Sequence, residues 1–232
     1  MESLAIIPAR GGSKRLPRKN LTPLGGRPLV RHTLDAAVES GCFTRVLLSS
    51  DDDEILAQAD EVAGVEPWPR PAALSGDQVT ALTLVESIVV DDGLADAFDV
   101  VSLLLPTAPF RRAEHLRAGF EMLDRSVDGV VSLTDYEFPP QLSVTRDEAG
   151  LVHGVWDPCP LVTGDTRSQD QARIHRPNGA FYVRWMDRFL ADRNFWKGKV
   201  RGYLMERRES VDIDDERDLT WAQFLLDREG ER

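Results

Sequence analysis

Five cations stand within ten residues near the start of the chain, Arg10, Lys14, Arg15, Arg18 and Lys19, in a stretch they share with Gly11, Gly12 and Ser13. Glycines let a backbone approach an anion closely and turn its N–H groups toward it. Clustered Arg and Lys add charge and, for Arg, forked hydrogen bonds to phosphate oxygens. The combination reads as a polyphosphate site. The plain alternative is a solvated basic turn. Against it, the chain carries 39 acidic and 28 basic residues, a formal net charge of -11, so composition does not account for the cluster. The arm also follows the apolar run Leu4 to Ile7 directly. The P-loop spacing G-x-x-x-x-G-K-[ST] and the fingerprint G-x-G-x-x-G are absent, which disfavours a kinase, GTPase or nicotinamide enzyme of the usual type.

Near the other end, Ser210-Val211-Asp212-Ile213-Asp214-Asp215-Glu216 alternates acidic and apolar residues. With Val211 and Ile213 turned into the core of a short strand, Asp212 and Asp214 share the opposite face. Two such carboxylates suit Mg²⁺, which takes one or two carboxylates plus substrate phosphates. Helix capping accounts for Asp214 or Asp215 and accounts poorly for Asp212. Three further stretches sit where a site would form. Arg176-Pro177-Asn178-Gly179-Ala180-Phe181-Tyr182 is a turn entering a strand. Leu103 to Arg112 ends an apolar strand in prolines and cations. Arg70 is held between Pro69 and Pro71, while Arg167 and Arg173 are candidates for a forked contact on a carboxylate.

The elements that must position these residues follow an α/β alternation. Leu4–Ile7, Val46–Leu48, Val100–Leu105 and Val130–Leu133 read as strands. Between them, Val30, Leu34, Ala37 and Val38 mark a helix that Gly41 stops. Asp51 with Glu54 resembles a capping box opening a helix through Ile55, Ala59 and Val62. Leu82, Val85 and Val89 mark a third helix, and Ala113, Leu116, Phe120 and Leu123 a fourth. Such alternation implies a mostly parallel sheet with helices on both faces and ligands at the strands' carboxyl ends. After Asp135 the pattern changes. Leu142–Thr145 and Leu151–Val155 form an expected hairpin, and Pro158–Pro177 is polar and aperiodic, an excursion suited to a lid or subunit contact. Ala180–Val183, Val200–Leu204 and a closing helix over Leu219, Ala222 and Leu226 complete the domain.

At 232 residues the chain can bury one sizeable core. Its acidity argues against nucleic-acid and anionic-membrane partners, and no apolar run approaches the roughly 20 residues of a membrane span. Met1–Ala9 is too short for a signal peptide. Cys42 and Cys159 form no metal or redox motif, and the four histidines lack zinc spacing. The expectation is a cytoplasmic protein.

IIPARGGSKRLPRKN, RPAALSGD, LLLPTAPFR, RPNGAFY and SVDIDDERDL, in this order, resemble the acylneuraminate cytidylyltransferases, the CMP-sialic acid synthetase group, over essentially the whole chain. The resemblance implies a Rossmann-like three-layer α/β fold of the nucleotide-diphospho-sugar transferase type. It implies a single domain over 1–232 with 137–177 as a dimerisation or lid extension, and a homodimer. It implies that CTP and a nine-carbon sugar acid react, with Mg²⁺, to give a CMP-sugar and pyrophosphate. By resemblance, Ala9, Arg10, Ser13, Lys14, Lys19, Asn20, Arg70, Asp77 and Thr80 bind the nucleotide. Asp212 and Asp214 bind Mg²⁺. Leu105, Gln141, Arg167, Asn178, Tyr182, Phe195 and Trp196 bind the sugar acid. Arg10, Lys14, Lys19 and Asp212 are the expected catalytic set. Two positions depart from the sialic acid pattern: Leu105 stands where Gln is usual, and Gln141 near a usual Lys. Both lie on the sugar side, so a related nonulosonate such as a legionaminic or pseudaminic acid fits as well or better. The competing readings are a cytidylyltransferase for an eight-carbon ketosugar acid and a catalytically silent nucleotide-binding protein.

Overall fold

The computed structural model describes residues 1–229. In chain order the elements are β1 (Ser3–Pro8), β2 (Pro23–Leu24), β3 (Arg27–Pro28), α1 (Leu29–Ser40), β4 (Arg45–Ser50), α2 (Asp53–Asp60), β5 (Val65–Pro69), α3 (Ala81–Glu86), β6 (Val100–Leu103), α4 (Ala113–Glu121), β7 (Gly129–Asp135), β8 (Val144–Arg146), β9 (Val152–Gly154), α5 (Pro160–Thr163), β10 (His175–Trp185), α6 (Met186–Asp192), β11 (Val200–Leu204) and α7 (Glu216–Glu229). One seven-stranded sheet runs in the order β11-β7-β10-β6-β1-β4-β5. Four of its six neighbouring pairs are parallel, and β10 runs antiparallel to both β6 and β7.

Strand β1 shows why the sheet is covered on both sides. Leu4 and Ile6 pack with Leu84, Val85 and Phe189 beneath α3 and α6. Ala5 and Ile7, on the opposite face by the two-residue period, pack with Val30, Leu34, Ile55 and Leu116 beneath α1, α2 and α4. A strand buried on both faces has no place for polar residues, hence the unbroken apolar run. Each fully buried Leu or Ile contributes roughly 1.5–3 kcal/mol relative to exposure.

Helix boundaries follow local chemistry. Gly41 closes α1 in the left-handed conformation (φ 65°), as the sequence predicts. The start of α2 differs from expectation. Asp52, not Asp51, is the cap, its side chain accepting from Glu54 N and Ile55 N at 2.9 and 3.2 Å. Strand β5, Val-Glu-Pro-Trp-Pro, is not legible from the sequence because two prolines break the pattern. It lies at the sheet's edge, paired only with β4, where a missing N–H is tolerated.

The excursion carries the expected hairpin of β8 and β9. It leaves Phe138, Leu151, Val152, Val155, Leu161 and Val162 exposed, Val162 by 85 %. No helix among the described residues is long and apolar enough to cross a membrane.

Half-buried His32 on α1 donates from Nε2 to the carbonyl of Leu24 at 3.0 Å. Burial, aided by Arg27, pushes its pKa below the ordinary 6.5. The unfolded chain therefore binds a proton here more readily than the folded one. The neutral ring's contribution is complete above pH 6.5 and is lost as the pH falls from there through the lower folded pKa. His32→Gln keeps a donor for Leu24 but does not titrate. Its chemical-denaturation stability is expected to fall less than that of wild type between pH 6.5 and 5.

Candidate active site

At the carboxyl ends of β1 and β6 an open cleft of about 510 Å³ is lined by Arg10, Ser13, Lys14, Arg15, Lys19 and Asn20 from the basic arm. Arg70, Asp77, Thr80, Thr107 and Asp214 complete its charged and polar rim, and Val79, Leu84, Leu105 and Pro106 add apolar surface. Most of the expected nucleotide residues thus converge on one cavity although they lie far apart in sequence.

The arm's cations are already engaged. Asp77 pairs with Arg10 at 2.7 Å and also with Lys14. The hydrogen bond from Lys14, followed by that from Arg10, holds its carboxyl below the usual range. Lys19, only 13 % exposed, donates to the Ile213 carbonyl at 2.9 Å and to Asp214 at 3.0 Å. Arg15 reaches the other oxygen of Asp214 at 2.7 Å. Asn20 is buried and donates to the Arg10 carbonyl at 2.9 Å, fixing the arm's curvature. Arg18 takes no part in the cleft lining: it sits at φ 55° and pairs with Glu54 at 2.8 Å.

Gly11 corrects one expectation. Its N–H is directed at Asp51, 2.9 Å away, rather than into the cleft. Glycine is needed there for space: a Cβ would stand 2.9 Å from both Cβ and Oδ2 of Asp52, the cap of α2. Gly11→Ala is expected to push that cap aside, at a cost of about 1–2 kcal/mol. A lowered melting temperature together with weaker CTP binding in a titration would check this. Ala9 stands apart from the other expected nucleotide residues. It is fully buried, outside the cleft lining, and its N–H donates to Ser49 O at 2.9 Å.

The acidic segment is not a strand, contrary to the sequence expectation. Its alternation nevertheless holds through packing. Ile213 is fully buried with Leu24, Leu29 and Ala222, Val211 packs beside it, and Ile213 N donates to Thr107 O at 2.8 Å. Capping of α7 falls to Asp215, which accepts from Arg217 N and Asp218 N, while Asp218 accepts from Asp214 N and Asp215 N. Asp212 and Asp214 are thereby free of capping duty. Asp212 reaches solvent but is ringed closely enough by protein that desolvation raises its carboxyl pKa, against a hydrogen bond from Thr107. It has no ion pair among the described residues. For Asp214 desolvation acts upward as well, but Lys19 and then Arg15 outweigh it and hold the carboxyl below its ordinary range. No set of three or more His, Cys, Asp or Glu side chains converges as a metal cage among the described residues. An incomplete set of two carboxylates, one without a cation of its own, fits a hard divalent ion completed by substrate oxygens.

Of the expected sugar-side residues, Leu105 lines the cleft. Tyr182 packs edge-on to Trp196 with centroids 5.8 Å apart, and burial followed by the charge of Asp212 raises its hydroxyl pKa. Trp196 is 47 % exposed. Phe195 is a correction: it is buried behind Tyr182 against Phe189, as core. Asn178 is another. Fully enclosed, it donates to Ser210 Oγ at 2.9 Å and accepts from Ala180 N at 3.2 Å, so it braces the β10 turn instead of facing a ligand. Gln141 is buried at the base of the excursion, donating to Ala172 O at 2.6 Å. Arg167 is exposed on the excursion, and neither it nor Gln141 lines the cleft. The sequence reading missed Thr107, although it directly follows the Leu105-Pro106 it singled out. It also missed Asp51, whose partner is forty residues away.

An open α/β sheet with a basic arm at one strand end and an acidic pair beside it is the architecture of a nucleotidyltransferase. Among solved structures, a CMP:2-keto-3-deoxy-manno-octonic acid synthetase complexed with CTP superposes with a TM-score of 0.69 at 16 % identity, covering 99 % of this chain and 100 % of that one. This likeness establishes the fold. The chain belongs to the cytidylyltransferase family, whose sequence model matches residues 4–158. A pseudaminic acid cytidylyltransferase of Campylobacter jejuni is 31 % identical over 227 residues, 97 % of this chain and 96 % of that protein. A CMP-N,N'-diacetyllegionaminic acid synthase of Legionella pneumophila is 31 % identical over 231 residues, 98 % and 97 % of the two chains.

Proposed function

We propose that this chain is a CTP-dependent nucleotidyltransferase that joins CMP to a nonulosonic acid and releases pyrophosphate. One observation supports the reading: Lys19 reaches Asp214 at 3.0 Å, so the phosphate-binding arm and one carboxylate of the pair line a single cleft, with Asp212 two residues away outside that lining. The names of the relatives supply CTP and the nonulosonic class.

In this reading Arg10, Lys14 and Arg15 leave their carboxylate partners for the triphosphate, Lys19 keeps its bonds to Ile213 and Asp214 and turns its third donor to the phosphates, and Ser13, Asn20, Arg70, Asp77 and Thr80 fix the nucleoside. The acid's anomeric hydroxyl attacks the α-phosphorus. A P–O bond forms at the anomeric oxygen, the α–β phosphoanhydride bond breaks, and pyrophosphate departs with its electron pair while the hydroxyl proton passes to solvent. Asp212 and Asp214 would hold Mg²⁺, which when bound supplies charge neutralisation at the phosphate oxygens. The arm's own contribution is to place the reactants and to stabilise charge gathering on pyrophosphate. Tyr182, Trp196 and Leu105 form the acceptor wall, and Leu105 offers it no hydrogen bond.

A homodimer is supported by the apolar surface exposed on the excursion, which a second copy would cover while bringing its exposed Arg167 toward a neighbouring cleft. Cys42 and Cys159, both free thiols, accord with a cytoplasmic setting. Pyrophosphate release with CTP and Mg²⁺ across nine- and eight-carbon sugar acids tests the reading. Release with a nine-carbon acid is expected. Silence with all acids despite CTP binding would overturn it, and release with an eight-carbon acid alone would move the acceptor.

A further inference from the structure

Two arginines are almost wholly enclosed, Arg184 and Arg111. Arg184 has an acidic partner, Asp192, at 2.7 Å. Arg111, 2 % exposed, has none among the described residues, and burial alone pulls its guanidinium down to about 9. A buried cation without a counter-ion is costly, so something must be gained by its fork. Its Nη1 donates to the carbonyls of Leu105 (3.3 Å) and Ala180, and its Nη2 to Thr33 Oγ1. One planar group therefore joins the loop after β6, the turn of β10 and helix α1.

The Ala180 anchor leads toward Tyr182 of the proposed acceptor wall, and the Leu105 anchor is at the cleft itself. Leu105 lines it, its N–H donates to Gly179 O at 3.3 Å, and its carbonyl also accepts from Ala108 N at 3.3 Å. Two residues on, Thr107 binds the acidic segment through Ile213 N and touches Asp212. Ala180 lies two residues before Tyr182. An aliphatic side chain at 111 would take this donor from Ala180 O and Thr33 Oγ1 and leave Leu105 O with its bond from Ala108 N alone. Lysine keeps the charge but presents a compact ammonium that cannot span the same three directions.

We propose that Arg111 is a positioning residue for acceptor activation, its fork setting Leu105, Thr107 and the Asn178–Ala180 turn in register with the acidic pair. This rests on the activity proposed above. Arg111 touches none of the reacting groups and acts only through the backbone it holds.

The test compares wild type, Arg111→Lys and Thr33→Val. Thr33 is fully buried on α1 outside the cleft, and valine keeps its shape while removing one acceptor. Three quantities are read: CTP stoichiometry and Kd by calorimetry, kcat/KM for the acid at saturating CTP, and amide exchange at Leu105 and Ala108. The expected result is CTP stoichiometry near one and Kd within about threefold for both variants. Acceptor kcat/KM falls about tenfold in Thr33→Val and about a hundredfold in Arg111→Lys, as misplacement of the order of an ångström produces. Exchange accelerates at Leu105 and Ala108 and not in β1. Equal loss of CTP affinity and acceptor turnover would mean a general framework role and overturn the proposal, as would no change in either. If Arg111→Lys does not fold, Thr33→Val decides alone. A wild type that binds CTP yet activates no acid defeats the activity instead, and amide exchange still decides the role of Arg111.

Discussion

Asp212→Asn is expected to lower kcat by about a thousandfold while leaving the fold and CTP affinity nearly intact. The substitution is isosteric, and an amide oxygen can still accept the bond that Asp212 takes from Thr107. Packing and the capping of α7 do not involve this side chain, since Ile213 fills the core and Asp215 caps the helix. What disappears is one negative charge from a recess that desolvation makes expensive for a carboxylate without a cation. That charge would help hold the Mg²⁺ that neutralises the phosphate oxygens, and loss of such preorganised stabilisation costs of the order of 10²–10³ in rate, roughly 3–4 kcal/mol of barrier. Single-turnover kinetics with saturating CTP checks it, with calorimetry as the control for binding. A decline of less than tenfold would remove Asp212 from the reaction.

Lys19→Met is expected to act on the ground state as well. Lys19 is the one arm cation bonded both to the backbone of the acidic segment and to an acidic side chain, through Ile213 O and Asp214. An ammonium carries three donors, so the third is left for the cleft that Lys19 lines. Methionine fills the same volume and supplies none of them. We expect CTP Kd to rise about a hundredfold and kcat to fall by at least tenfold, because arm and acidic pair then lose their common anchor. The melting temperature should fall by a few degrees, since the Ile213 carbonyl loses its side-chain donor. A Kd within threefold of wild type would show that the triphosphate is held by Arg10, Lys14 and Arg15 alone.

Much of this was legible in the sequence wherever a local pattern had one physical cause. The apolar run before the arm could only be a strand covered twice. Gly41 had to end α1, and the alternation Val211-Asp212-Ile213-Asp214 had to turn its apolar residues to the core and its carboxylates outward. It did so without a strand, because the core contacts of Ile213 impose the alternation by themselves. Strand β5 escaped because edge placement excuses its prolines, and edge placement is a property of the sheet. Arg10 and Lys14 gave no sign that Asp77 would engage both, nor Arg15 and Lys19 that Asp214 would, since those partners come from distant segments. Asn178 misled for a related reason. A polar residue in a turn near the cleft looks like a ligand contact until Ser210, from another segment, takes its amide.

If the acid's anomeric oxygen is the nucleophile at the α-phosphorus of CTP, it becomes the bridging oxygen of the product. The most direct test is ³¹P NMR of the product formed from an acceptor acid carrying ¹⁸O at the anomeric hydroxyl. The mechanism predicts a phosphodiester resonance shifted by ¹⁸O in its bridging position, with unlabelled pyrophosphate as the sole other phosphorus product. An unshifted phosphodiester, or CDP with inorganic phosphate in place of pyrophosphate, would contradict it.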